Sequence, residues 1–253
     1  MSNAALSLIS FYLAFGGYFV STFFCLLKKE RAAEGFFVAG FIFHTVSQIN
    51  RGWYLGFFYP HPMFNEISFL PWCLGFAGLI ARSFKKDIKL FPHIIIPVLF
   101  FSLITLVYPK GVIPPIAKNQ TFFSPLFFAA EVLAHACFIM GGWLAFFFVR
   151  KKIETSLFHD SVIWGFVLYS LAQVFGAIWA YLGWGSPFHW ADKHLGSAAI
   201  WCYYAAYIHL SFVAQWDLKR RAGIVLLGVL LVLAFSFDYQ LAELIRMVGG
   251  KSV

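Results

Sequence analysis

The sequence predicts an all-α fold: a polytopic membrane helix bundle of about eight transmembrane helices, with both termini outside. Three observations predict it. The 253-residue chain is 61% hydrophobic and only 12% charged, where a soluble domain carries roughly a quarter charged residues. Its apolar residues gather in long uninterrupted runs, the mark of membrane spans. Its basic residues fall in alternate connections between those runs, as the positive-inside rule requires. With 33 phenylalanines and a mean hydropathy of +0.77, the chain has more apolar side chain than one soluble interior could enclose.

The runs lie at 5–27, 35–57, 66–82, 90–108, 123–149, 161–182, 195–216 and 222–238. Each is continuous and does not alternate, so helices and not barrel strands are expected. The first run has no basic segment before it and its charges follow it. It is therefore expected to be a retained helix entering from outside, not a cleaved signal. The third and fourth runs contain Pro71 and Pro97, and the fifth contains the Gly141–Gly142 pair. Buried membrane helices tolerate both, and small residues let backbones approach closely. One integral membrane domain, residues 1–253, is the expected organisation, with no internal repeat.

Lys28, Lys29, Arg31, Arg82, Lys85, Lys86, Lys89, Arg150, Lys151, Lys152, Lys219, Arg220 and Arg221 occupy four short alternate connections, 13 of the 19 basic residues. These connections are expected in the cytoplasm, and the loops 58–65, 109–122 and 183–194 outside the cell (inner) membrane. The net charge of +8 then reflects topology and attraction to anionic lipid headgroups. It forms no single basic face, so nucleic acid is not an expected partner. Cys25, Cys73, Cys137 and Cys202 all fall in spans with no C-x-x-C spacing, which argues against thiol–disulfide chemistry and covalent haem attachment to this chain. No nucleotide-binding, zinc-protease or hydrolase motif occurs, and no catalytic residue is assigned.

Polar residues inside spans are costly in hydrocarbon and therefore informative. His44, His135 and His209 lie well inside theirs. Counting from the ends of the runs at ~1.5 Å per residue, His44 lies roughly 13 Å and His209 roughly 10 Å from the cytoplasmic side. Two imidazoles at one level suit axial ligation of haem iron, with Phe43, Trp53, Trp201, Tyr203, Tyr204 and Tyr207 available as walls. The plainer reading is that each histidine hydrogen-bonds a neighbouring helix. Glu131 precedes His135 by one helical turn and is placed to orient it. Arg51 and Glu66, near the outer ends of their spans, are candidates for an ion pair or for haem propionates, or are solvated interfacial charges.

The loop 183–194 crowds rings around a turn. Trp179, Trp184, Phe188, Trp190 and Trp201 lie close in sequence, and Gly185, Ser186 and Pro187 force the turn. Tryptophans at this depth are common interfacial anchors. Their density points instead to a shelf for a large flat ligand.

Residues 176–210, "GAIWAYLGWGSPFHWADKHLGSAAIWCYYAAYIHL", resemble the tryptophan-rich WWD segment of the cytochrome c assembly family, which includes CcsA/ResC, CcmC and HemX proteins. The matching residues are Gly176, Ala177, Trp179, Ala180, Trp184, Gly185, Trp190, Lys193, Trp201, Tyr204, Ala205, Tyr207 and His209. "PLFFAAEVLAHACFIMGGWLAFFF" resembles the family helix bearing an outer haem histidine, with His135 at that place. "HPMFNEISFLPW" resembles a shortened family segment retaining Pro62, Asn65, Glu66 and Ser68. The departures are Phe188, Ala191, Asp192, His194 and Gly196, which replace family tryptophan, acidic or proline positions. "FSFDYQLAELIRMVGGKSV" stands where the family carries a second outer histidine.

The resemblance implies a protein that binds non-covalent haem b and handles or presents it for cytochrome c biogenesis, a haem carrier more than an enzyme. It implies His209 and His44 as intramembrane ligands, and His135 with Trp179, Trp184, Trp190 and Trp201 nearer the outside. His61, His189 and His194 are the candidate outer partners of His135. Apocytochrome c and a CcsB-like membrane protein are the implied partners. Two other readings stay open: a b-type haem electron-transfer or quinone-interacting subunit, and a HemX-like regulator of tetrapyrrole synthesis.

Overall fold

The computed structural model describes residues 3–54, 66–84, 91–107, 121–151 and 156–237. Among these it is all-helical: α1 (Asn3–Leu26), α2 (Glu30–Tyr54), α3 (Glu66–Phe84), α4 (Phe91–Val107), α5 (Phe123–Val149), α6 (Leu157–Trp184), α7 (Asp192–Ser211) and α8 (Leu218–Ser236). Each helix coincides with one of the apolar runs, and the fold is a membrane helix bundle. Three of them, α1, α5 and α6, combine the length and hydropathy of a full span, while α3 and α4 are shorter apolar helices. The chain divides into two compact units, Met1–Ala136 and Cys137–Val253.

In the first unit, α1 and α2 form an antiparallel hairpin held along its whole length. Ser7 and Ser47 exchange hydroxyl-to-carbonyl bonds of 2.9 and 2.7 Å at one end, and the Ser21 hydroxyl donates to the Ala33 carbonyl at the other. Between them the backbones nearly touch at Gly17 and Gly40, where any side chain would hold the helices apart. Tight reversal between the two helices comes from Lys28, whose φ of 58° lets Lys29 N–H reach the Phe24 carbonyl at 3.0 Å. Helix α3 packs on α2 through Trp72, which stacks on Phe41 and donates its indole N–H to the Thr45 hydroxyl at 2.9 Å. Helix α4 meets α3 where Gly78 faces Ile94 and where the Thr105 hydroxyl donates to the Ile67 carbonyl at 2.9 Å. Arg82 and Glu34 form an ion pair at 3.6 Å.

In the second unit, α5 contributes its C-terminal half. Gly141 fits against Phe158 and Val162 of α6, and Gly142 against Val229 of α8. The Phe138 ring stacks flat on Tyr204 of α7, centroids 3.7 Å apart. Tyr203 donates its hydroxyl to the Ile224 carbonyl of α8 at 2.6 Å. An Asp217 carboxylate caps α8 by accepting from Arg220 N–H at 2.8 Å, which starts that helix four residues before its apolar run. These small-against-large contacts supply the close packing that association in lipid needs without a hydrophobic drive.

Candidate functional site: a ring shelf between two helices

Helix α6 ends because Gly185 adopts φ 74°, a left-handed cap whose N–H donates to the Tyr181 carbonyl at 2.8 Å. The Ser186 hydroxyl donates to the Phe188 carbonyl at 2.8 Å and closes the turn. Helix α7 resumes at Asp192, with Leu195 N–H bonded to the Ala191 carbonyl at 3.0 Å. The rings carried by this short path touch in series. Trp179 meets Trp184 edge-on at 5.3 Å, Trp184 meets His189 at 6.3 Å, and His189 meets His194 at 5.7 Å. Phe188 lies against both His194 and Trp190 at 5.5 Å. Trp190 is 86% exposed and Trp184 45%, so the cluster offers open aromatic faces and not only buried edges. Burial, then the neighbouring His189 and Lys193, hold His194 below the ordinary imidazole value.

Two of the expected site residues in this unit lie elsewhere. Trp201 sits further along α7, packed on Phe166 and donating its indole N–H to the Ser170 hydroxyl at 3.0 Å. His209 is at the other end of α7, two residues before Ser211. From His194 to His209 the helix rises roughly 22 Å, so one ligand cannot lie on the shelf and also reach His209. The His209 ring is exposed, and its Nδ1 lies 2.8 Å from the Ala205 carbonyl. A carbonyl only accepts, so Nδ1 is the donor, and in the neutral ring Nε2 is the nitrogen left to ligate. That tautomer and that backbone partner are what a metal-ligating imidazole requires.

The remaining candidates belong to the first unit. His44 is fully enclosed. Its Nδ1 accepts from the Tyr18 hydroxyl at 3.2 Å and its Nε2 donates to the Ser68 carbonyl at 3.2 Å. Gln48, one turn along α2, donates to the same carbonyl at 3.0 Å. Iron ligation by His44 therefore requires exchange of one of these bonds. His135 and Glu131 are both buried on α5, and Arg51 lines a cavity of about 280 Å³ with Ser7, Ser47, Gln48, Ser68 and Thr105. His61 lies outside the described residues. The helix bounds place each of His44 and His209 within its own helix. Helix α2 begins at Glu30, five residues before its apolar run, and α7 stops at Ser211, five residues before the end of its own. His44 is then roughly 21 Å into its helix, whereas His209 is roughly 3 Å from the end of its own. Tyr18, Ser68 and Gln48 were missed as a group around His44, although a glutamine four residues after an intramembrane histidine is a usable signal.

A family model described as "Cytochrome C assembly protein" matches residues 60–244, which include the shelf, Trp201 and His209. The chain belongs to the cytochrome c assembly family. Among relatives of this assembly protein, the cytochrome c biogenesis protein CcsA of Prochlorococcus marinus (strain MIT 9215) is 23% identical, the match covering 89% of this chain and 85% of that one. CcsA of P. marinus subsp. pastoris (strain CCMP1986 / NIES-2087 / MED4) is 24% identical over 76% of this chain and 74% of its own. CcsA of Synechococcus sp. (strain CC9311) reaches 33% identity, over 32% of this chain and 28% of its own. A role in cytochrome c assembly follows for this membrane protein.

Proposed function

We propose that this assembly protein binds non-covalent haem b in one integral membrane domain and presents it for cytochrome c biogenesis. The observation that carries the reading is the aromatic shelf at Trp184–His194, which lies inside the segment matched to the family and leaves Trp184 and Trp190 open. Flat faces with polar imidazole edges suit a porphyrin, whose body is apolar and whose rim is charged. His209, with Nδ1 fixed on Ala205 and Nε2 left to ligate, supports a separate haem-iron position at the far end of α7, distinct from the shelf. The alternation of basic connections favours the shelf on the outer side of the cell membrane, where apocytochrome c is the fitting partner and a CcsB-like membrane protein the fitting companion. Bound haem would supply the iron and the vinyl groups of the eventual attachment. The chain's part is to hold and orient, which lowers the entropic cost of bringing reacting groups together.

Haem titration into the purified full chain tests this, read by quenching of tryptophan fluorescence. Trp184→Ala and Trp190→Ala should each weaken binding severalfold with the fold intact. Unchanged binding in the double variant would remove the shelf from the reading. A b-type haem electron-transfer or quinone-interacting role is the second reading, favoured by the mostly apolar cavity that Gln48 and Arg51 help to line. Deletion of the gene separates the two. Loss of all holocytochrome c supports assembly, whereas normal cytochrome maturation with impaired respiration supports electron transfer.

A further inference from the structure

The cavity in the first unit lies where four helices reach one end of their bundle. Among the described residues, its walls come from the start of α1 (Ala4 to Phe11), the last turns of α2 (Ser47 to Arg51), the first turn of α3 (Ser68) and the last turn of α4 (Thr105). Arg51 stands three residues before the end of α2, and Phe11 eight residues after the start of α1. At ~1.5 Å per residue the cavity runs from the helix ends to about 12 Å inward, within the ~15 Å of one hydrocarbon leaflet. Over that interval a membrane lipid passes from headgroup to acyl chain.

The lining selects among ligands. Ala4, Ala5, Leu8 and Phe11 make an apolar wall on α1, and Leu8 is also exposed there beside Ile9 and Tyr12, so the wall leads sideways into lipid. The neutral polar groups are already engaged. The Ser7 and Ser47 hydroxyls donate to each other's backbone carbonyls, the Thr105 hydroxyl to the Ile67 carbonyl, and the Gln48 amide to the Ser68 carbonyl. A quinone carbonyl needs a donor and finds these committed. Arg51 is the one charged residue among the described lining residues. Its guanidinium carries five N–H donors in a rigid fork, enough to serve a phosphate alongside another acceptor. A volume of about 280 Å³ stands at the lower end of small-ligand pockets, roughly 300–1,000 Å³. It takes the upper part of one lipid while the remainder stays in the bilayer.

We propose that this cavity is a site for one anionic phospholipid, its phosphate at Arg51 and the start of an acyl chain along the α1 wall. The site does not depend on the haem reading. A choline headgroup would bring a second cation beside Arg51, so a net negative lipid is preferred. The full chain, purified in detergent and stripped of lipid, is titrated with phosphatidylglycerol or phosphatidylcholine and followed by native mass spectrometry. One phosphatidylglycerol per chain, held severalfold more tightly than phosphatidylcholine, is expected. Arg51→Gln should abolish that preference, and Arg51→Lys should restore most of it. Ala5→Phe, which fills the cavity from its apolar wall, should weaken both lipids severalfold. Ala4→Leu makes a smaller filling, should Ala5→Phe fail to fold. A parent without the preference, an Arg51→Gln chain that keeps it, or a filled cavity that binds like the parent would each overturn the site. Displacement of the bound lipid by inorganic phosphate would overturn it as well. So would displacement by ubiquinone, which would give the cavity to a quinone.

Discussion

Gly17 and its neighbour Gly16 differ in one respect, and that difference sets a quantitative test of the α1–α2 crossing. A Cβ at Gly17 would lie 2.7 Å from Gly40 Cα, 3.0 Å from Gly40 N and 3.2 Å from the Phe36 carbonyl oxygen. Non-bonded carbons rest at about 3.5–4.0 Å, so Gly17→Ala must move the two backbones apart by about 1 Å. All three obstacles are backbone and cannot rotate away. Overpacking of this kind costs about 1–3 kcal/mol. A Cβ at Gly16 meets nothing within 4 Å, so Gly16→Ala removes only the backbone freedom of glycine and should stabilise by about 0.5–1 kcal/mol. The two variants share helix, residue type and hydropathy, yet should shift the thermal unfolding midpoint in opposite directions. Unfolding in detergent, followed by tryptophan fluorescence, reads both. Equal shifts, or a harmless Gly17→Ala, would refute the crossing and with it the placement of Tyr18 against His44.

Further outcomes follow from individual contacts. His44→Phe leaves the buried Tyr18 hydroxyl without its acceptor and should cost about 1–3 kcal/mol, while Tyr18→Phe in the same chain should recover part of that loss in a double-variant cycle. Gly165→Val drives a side chain into the Phe138 ring, where a Cβ already lies 2.7 Å away, and should destabilise by about 1–3 kcal/mol in the same unfolding assay. Trp201→Phe loses the indole bond to Ser170 and should lower stability by only about 0.5–1.5 kcal/mol, without weakening haem binding at the shelf. Trp190→Ala should stay within about 0.5 kcal/mol of the parent in stability, because its ring is exposed, and yet weaken haem binding measured by titration.

Much of this was legible in the sequence because lipid imposes a simple rule: continuous apolar runs must become helices. All eight runs did. The ring shelf was legible as well, since Trp184, Phe188, His189, Trp190 and His194 lie within one short turn and cannot avoid one another. Helix ends were less legible. Hydropathy cannot see that Asp217 starts α8 through its cap, or that α7 closes at Ser211. There Phe212 and Val213 N–H turn back three residues to the His209 and Leu210 carbonyls, although the apolar run continues. The surroundings of His44 were illegible for another reason. Tyr18 and Ser68 come from helices distant in sequence, and nothing local marks a tyrosine in α1 as the partner of a histidine in α2. Trp201 shows the same limit, grouped with the shelf by sequence spacing but turned towards Ser170 by helix packing.

The absorption spectrum of the full chain purified from haem-replete cells bears most directly on haem binding. Haem b in substoichiometric or greater amount, with its low-spin signature diminished in His209→Ala, is the expected result. Colourless protein, or a spectrum unaltered by His209→Ala together with Trp184→Ala and Trp190→Ala, would contradict it.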